Sequence, residues 1–376
     1  METLELQRTE GLHDGAQAYV SRFGEPLLDV AVGESTPGRP LEGDDVMLWY
    51  SSGKPVTTTA VLQLWERGRL GLDDPVAEYV AGWASGKERV TIRHVLTHTG
   101  GFTMARSGEL FDTDVPYAEA VARIAAHPAE WEPGTKAGYH PTSGWKVLGA
   151  VVEAIDGRSI DRYVADEVFA PAGMKESRLG VPLDEQAALG PRLVPVAWKG
   201  HAIAFNDGTG LRMVPYHIER IHNEPWHVAK VEPGGGMRGP ARELGRLYES
   251  LLGFSPPVLE PRTVEVMAAV HRYGLPDVIF GGQKTPWGLG VQVAGGMSGG
   301  PGRRAFGHGG MASSRGLADP DAGLVAVLVA NGLPDPIQNE RRMFAFTDAV
   351  YRAFGDELAH LRLPARSVSE AFRPST

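Results

Sequence analysis

The chain has 376 residues, 42% of them hydrophobic, and a formal net charge of −9. That length suits roughly two domains, and an acidic chain without a long basic run is a poor partner for nucleic acid or an anionic membrane. There is no cysteine, which excludes disulfides, thiolate zinc sites and cysteine nucleophiles together.

The N-terminal stretch METLELQRTEGLHDGAQAYV lacks a basic segment followed by an apolar one, so no secretory signal is expected. No run approaches the ~18 apolar residues of a membrane span, and a cytoplasmic location is the expectation. Residues 11–22 read as a modest helix, and Pro26 to Val32 alternate as a strand. A second short strand leads into Trp49. From Lys54 to Arg67, Val56, Ala60, Val61, Leu64 and Trp65 form one apolar helical face, and Gly68 ends it. Proline is tolerated only in a first turn, so Pro55 places the start of this helix close to Ser51.

Helical pieces are expected over Thr91–His98, Ala118–Ala126, Trp145–Ile155 and Ile160–Phe169. Residues 182–235 read as irregular and lid-like, carrying Trp198, His201, Phe205, Tyr216, His217, His222, Trp226 and His227. A helix over Pro240–Leu252 follows. Strands are expected at Trp287–Val293, Arg304–His308 and Leu324–Ala330, and a closing helix at Glu340–Phe354. Strands at both ends with helices between suggest a sheet built from both termini and an inserted helical region. The expected division is a discontinuous sheet domain, 1–75 with 240–376, and a mainly helical domain, 76–239.

The chemistry starts at Ser51-Ser52-Gly53-Lys54. Residues at i and i+3 share a helical face, so Ser51 and Lys54 would stand side by side. A serine hydroxyl needs a neighbouring base, and a lysine can serve when desolvation lowers its pKa. Alone, the spacing fits equally well a helix cap beside a solvated lysine. Two later segments add to it: Gly138-Tyr139-His140-Pro141, and Gly307-His308-Gly309-Gly310 at the end of a strand.

With these segments the chain resembles the serine β-lactamase and penicillin-binding protein superfamily. Within it, the chain looks most like the class C branch with its family VIII esterases and related acyltransferases. Supporting stretches are Gly68-Arg-Leu-Gly-Leu-Asp-Asp-Pro75, Thr91-Ile-Arg-His-Val-Leu-Thr-His-Thr-Gly-Gly101 and Pro233-Gly-Gly-Gly-Met237. The resemblance implies an α/β (α+β) fold, an antiparallel sheet flanked by helices with the inserted helical domain. It implies Ser51 as nucleophile, Lys54 as its base, and Tyr139, matching the tyrosine of Y-x-N, as proton relay or, as phenolate, a base. His308 stands for the lysine of K-T-G, with Gly309 and Gly310 lining the substrate strand. The N–H groups of Ser51 and Met311 would form the oxyanion hole. Apart from the resemblance, the aromatic and histidine cluster at 198–227, Trp226 included, reads as a lid or pocket wall or as ordinary loop packing.

Two positions depart from the family pattern. Pro141 replaces the asparagine of Y-x-N and has neither its amide nor a backbone donor. His308 grips a carboxylate less well than lysine. Both disfavour lactam or D-Ala-D-Ala turnover, and neither damages the Ser51–Lys54–Tyr139 machinery. The expectation is therefore a small-molecule ester or acyl substrate, hydrolysed through an acyl-enzyme. A transacylase that passes the acyl group to an amine or alcohol in a biosynthetic pathway is the runner-up. A β-lactamase or DD-peptidase ranks next, and a non-catalytic binding protein last. No metal and no organic cofactor is called for.

Other motifs read as structural. His140 is expected as a surface imidazole. His94 and His98 share a helical spacing but lack the acidic partner of a H-E-x-x-H site. Gly296-Met-Ser298-Gly-Gly300 matches a nucleophile elbow, yet that motif needs a strand before it and a helix after it. A loop is expected there instead.

Overall fold

The computed structural model describes residues 1–103, 113–200, 203–206, 211–214, 219–293 and 302–362, with 203–206, 211–214 and 219 described by backbone alone. Ser298 and its flanking glycines lie outside the described residues, as do His201, Tyr216 and His217. In chain order the first third gives α1 (Glu2–Thr9), β1 (Gly15–Arg22), β2 (Glu25–Thr36), β3 (Arg39–Pro40), β4 (Met47–Leu48), a 3₁₀ turn (Tyr50–Gly53), α2 (Lys54–Glu66), α3 (Ile92–Leu96) and α4 (Tyr117–Ala126). Next come α5 (Ser143–Asp156), α6 (Ile160–Val164) running into a π-helical turn (Ala165–Phe169), β5 (Arg178–Leu179), α7 (Leu183–Leu189), β6 (Ala197–Trp198), β7 (Ile203–Asn206), β8 (Leu211–Val214), α8 (Glu219–His222) and α9 (Pro225–Ala229). The chain continues through β9 (Met237–Gly239), α10 (Ala241–Leu251), α11 (Pro261–Ala268), β10 (Gln292–Val293), β11 (Phe306–Gly310), β12 (Ser314–Asp319), β13 (Leu324–Ala330), β14 (Gly332–Leu333), α12 (Pro336–Arg352) and α13 (Asp356–Ala359).

The main sheet has seven antiparallel strands in the order β10-β11-β12-β13-β1-β2-β3. It is built from both ends of the chain, and helices cover both faces. Strand β13 shows how: Leu324, Ala326, Leu328 and Ala330 pack with α1 and α12 residues such as Leu4, Met343 and Phe346. Val325, Val327 and Val329 point the other way, into the core shared with Val61, Trp145, Leu244 and Leu247. That second core joins the sheet's inner face to the helices of 76–239.

Burial on both faces explains the first correction. Residues 11–22 hold a strand, and the helix lies earlier, at Glu2–Thr9. In β1, Ala16, Ala18 and Val20 enter one core and Tyr19 the other. The polar Gln17 is also buried, donating to the carbonyls of Glu42 and Asp45 and accepting from Ala241 N–H. A strand buried on both sides has no polar face, so the alternation that marks strands is missing. The expected strand Trp287–Val293 shrinks to Gln292–Val293. Ahead of it Leu289 and Gly290 give their N–H groups to Met267 and Leu96, and Gly290 takes φ +67°, a left-handed conformation suited to glycine. The described residues of 182–235 hold more regular structure than the composition suggests: β6 pairs in parallel with β14, and β7 pairs antiparallel with β8.

Candidate active site

Ser51 sits in the 3₁₀ turn immediately before α2, and the α-helix itself begins at Lys54. The turn is stitched to β11 and β12. Ser52 Oγ donates to the carbonyl of His308 at 3.0 Å, Ser314 Oγ donates to Ser52 Oγ at 2.8 Å, and Ser314 Oγ also reaches the Trp49 carbonyl. A side chain at position 310 would fall on the Trp49 carbonyl oxygen, so the close approach of β11 to the Ser51 turn requires Gly310. Tyr50, just before Ser51, has φ +49°, a strained conformation for a bulky residue that costs about 1–3 kcal/mol. Its hydroxyl, 2.9 Å from His222 Nδ1, and its buried ring hold it there.

Lys54 is fully buried. Its Nζ lies 2.9 Å from Ser51 Oγ and donates to the carbonyls of Pro141, at 2.8 Å, and Gly234. Burial pushes its pKa well below the ordinary lysine value. A neutral amine has two N–H bonds and one lone pair. With both N–H groups spent on the two carbonyls, the lone pair is left for the Ser51 hydroxyl. Tyr139 approaches Ser51 from the other side, its hydroxyl donating to Oγ at 2.9 Å. Burial raises the Tyr139 pKa above that of a free phenol. Burial thus favours the neutral amine and the neutral phenol, and in that pairing Tyr139 gives its proton toward Ser51 Oγ. The phenolate-base alternative requires the form that burial disfavours.

His308 is buried on β11 with its ring centroid 6.1 Å from that of Tyr139 and 5.4 Å from that of Trp287. Its Nδ1 lies 2.7 Å from the Gly309 carbonyl. A carbonyl only accepts, so Nδ1 carries the proton and Nε2 the lone pair. Nε2 has no hydrogen-bond partner among the described residues. Burial pushes this imidazole down to about 3, so it is neutral near pH 7 and offers an acceptor where a K-T-G lysine offers a cation. Gly309 and Gly310 continue β11 opposite Arg315 and Ser314, and Met311 follows, 39% exposed.

Trp226 lies elsewhere: with Tyr117, Leu183 and Val231 it lines a 610 Å³ recess that none of Ser51, Lys54, Tyr139 and His308 borders. His140 is corrected from a surface imidazole to a fully buried one. Its Nε2 accepts the Phe102 N–H at 3.4 Å, and its own N–H donates to His98 Nδ1 at 3.1 Å. His94 caps α3 reciprocally with Thr91. Among the described residues no cluster of three or more His, Asp or Glu could hold a metal ion, and no helix is long and apolar enough to cross a membrane.

Several participants carry no sequence signal. The carbonyls of Pro141 and Gly234 are backbone groups, and nothing in a residue's type announces where its carbonyl will point. Behind Gly234, Glu232 and Lys146 form an ion pair with both side chains buried, and Glu232 Oε1 accepts the Gly234 N–H at 3.4 Å.

The chain as a whole is similar to known proteins. The esterase EstB of Burkholderia gladioli is 31% identical over 273 residues, covering 65% of this chain and 68% of EstB. The crystal structure of a family VIII carboxylesterase superposes with TM-score 0.76 at 24% identity, covering 92% of this chain and 95% of that one. EstCE1, described as a hydrolase with promiscuous acyltransferase activity, gives TM-score 0.76 at 21% identity, covering 93% and 97%. At those identities the two structures speak for the fold alone. Residues 4–347 match the profile of the Beta-lactamase family, and the chain belongs to that family.

Proposed function

We propose that this protein is a serine ester hydrolase working through a covalent Ser51 acyl-enzyme. The observation that carries the reading is that Lys54 Nζ and Tyr139 Oη each stand 2.9 Å from Ser51 Oγ, one poised to take a proton and the other to give one. Ser51 Oγ attacks the ester carbonyl carbon while its proton passes to the Lys54 lone pair. The carbonyl oxygen becomes an oxyanion facing the N–H groups of Ser51 and Met311, and removing one such donor typically costs about 2.7–4 kcal/mol of transition-state stabilisation. The carbon–oxygen bond to the alcohol then breaks, and the leaving oxygen takes the Tyr139 proton. The lysinium, 5.3 Å from the Tyr139 ring centroid, stabilises the phenolate while Ser51 Oγ is acylated, and its proton goes back to Ser51 Oγ only as the acid leaves. Water adds to the acyl-enzyme by the reverse sequence and releases the acid.

Pro141 and the neutral His308 support an ester over a β-lactam or peptide that carries a carboxylate. A transacylase is the second reading. Phe280, 44% exposed and 5.0 Å from the Tyr139 ring between centroids, supports it by giving the leaving-group side an apolar surface for an organic acceptor. EstB and EstCE1 make both chemistries reasonable on this fold. The test is product partitioning by mass spectrometry. A short activated ester is supplied with and without amines and alcohols, and Ser51→Ala serves as blank. Free acid alone means a hydrolase, a new ester or amide at millimolar acceptor means a transferase, and turnover by Ser51→Ala removes the acyl-enzyme reading.

A further inference from the structure

The catalytic loop that carries Tyr139 is held by a carboxylate that no family motif marks. Asp277 is 1% exposed. Its Oδ1 accepts three backbone N–H groups: Tyr139 at 3.2 Å, Ile279 at 3.0 Å and Phe280 at 3.3 Å. Its Oδ2 faces Arg272 Nη1 at 3.5 Å, and that guanidinium, also buried, donates to the Thr97 carbonyl at 3.1 Å and lies over the Trp287 ring. The main chain repeats the connection, since Val278 N–H donates to the Ala137 carbonyl at 2.9 Å. The Tyr139 ring is meanwhile flanked by His98 at 4.6 Å and Phe280 at 5.0 Å between centroids.

An anionic oxygen binds N–H donors about twice as strongly as a neutral one, and here one such oxygen fixes both the tyrosine's backbone and the loop over its ring. The hydroxyl it positions must reach the leaving oxygen while still meeting Ser51 Oγ, and an error of ~1 Å in such placements can cost about 10²-fold in rate. We infer that Asp277, braced by Arg272, is a positioning residue that aims the Tyr139 hydroxyl at the leaving alcohol. The inference rests on the ester-hydrolase reading above and adds to it a buried ionic clamp behind the proton relay.

The clamp is tested with two esters of one acid, ethyl butyrate and 4-nitrophenyl butyrate. An ethoxide leaving group needs the Tyr139 proton, whereas a nitrophenolate leaves without it. Asp277→Ala should therefore lower kcat/KM for the ethyl ester about tenfold more than for the nitrophenyl ester. This ratio does not depend on the fraction of active enzyme, which a fluorophosphonate titration of Ser51 reports separately. In a Tyr139→Phe background the same substitution should leave the ratio unchanged. Should Asp277→Ala fail to fold, Asp277→Asn keeps the shape and one acceptor oxygen, and the ratio should still fall about threefold. Equal losses for both esters, or a further fall in the ratio without the Tyr139 hydroxyl, would overturn the clamp. Wild-type protein that is labelled by fluorophosphonate yet hydrolyses neither ester would instead remove the functional reading, before any variant is made.

Discussion

Lys54 is asked to be an uncharged base, and that demand leaves a thermodynamic trace. An amine whose folded pKa lies below its unfolded value binds fewer protons in the folded state. The folded state then carries a penalty that is complete below the folded pKa and fades as pH rises toward the ordinary lysine value of 10.5. Between those limits the penalty changes by at most about 1.36 kcal/mol per pH unit for one site. Lys54→Met keeps most of the volume and removes the titration. It also strips a donor from the Pro141 and Gly234 carbonyls, at about 1–3 kcal/mol for each buried group left unpaired. That loss is independent of pH, so the comparison isolates the lysine. The assay is urea unfolding of both proteins at pH 7, 8 and 9. Wild-type stability should gain on the variant as pH rises, with a slope no steeper than the limit above, while acylation by the variant stays at least about 10²-fold slower at each pH. Parallel stability curves would mean that Lys54 is an ordinary ammonium in the fold, and the lone-pair argument would fail with them.

Three further outcomes follow from the same geometry. With burial holding His308 down to about 3, kcat/KM should show no inflection between pH 5 and 8 that disappears in His308→Gln. A shared inflection belongs to another group, and one lost with the histidine contradicts its burial. Glu232→Ala leaves Lys146 buried without its partner and should cost about 3–5 kcal/mol in urea unfolding. It should also slow acylation, because Glu232 holds the Gly234 N–H, and a loss below 1 kcal/mol would show that the pair is dispensable. Phe280→Ala removes the half-exposed ring beside Tyr139. An aromatic contact is worth about 0.5–1.5 kcal/mol, so any preference for benzyl over methyl butyrate should fall about threefold to tenfold. A change confined to the acyl-chain series would move Phe280 to the other side of the ester.

Burial decides what could be read from the sequence in advance. Ser51, Lys54, Tyr139 and His308 stand out because their residue types recur at a family spacing, and α2 is legible because Pro55 and Gly68 punctuate it. Strand β1 is illegible for the reason that makes it central: with both faces covered, even Gln17 points inward, and alternation vanishes. His140 fails as a surface residue for a related reason. A histidine ring can be buried when a backbone group meets it, here the Phe102 N–H on Nε2, and such a donor is not visible as a residue type. The same holds for the carbonyls of Pro141 and Gly234 and for Asp277, which gathers the Tyr139 N–H from a distant segment together with the Ile279 and Phe280 N–H groups beside it. The motif supplies the groups proposed to react, whereas desolvation and backbone partners bias their protonation states. Pro141 joins the two levels. As a side chain it deletes the amide of the family motif, and as a backbone carbonyl it takes one of the two N–H bonds that leave the Lys54 lone pair to Ser51. A substitution that weakens lactam recognition can therefore leave acyl transfer from an ester intact.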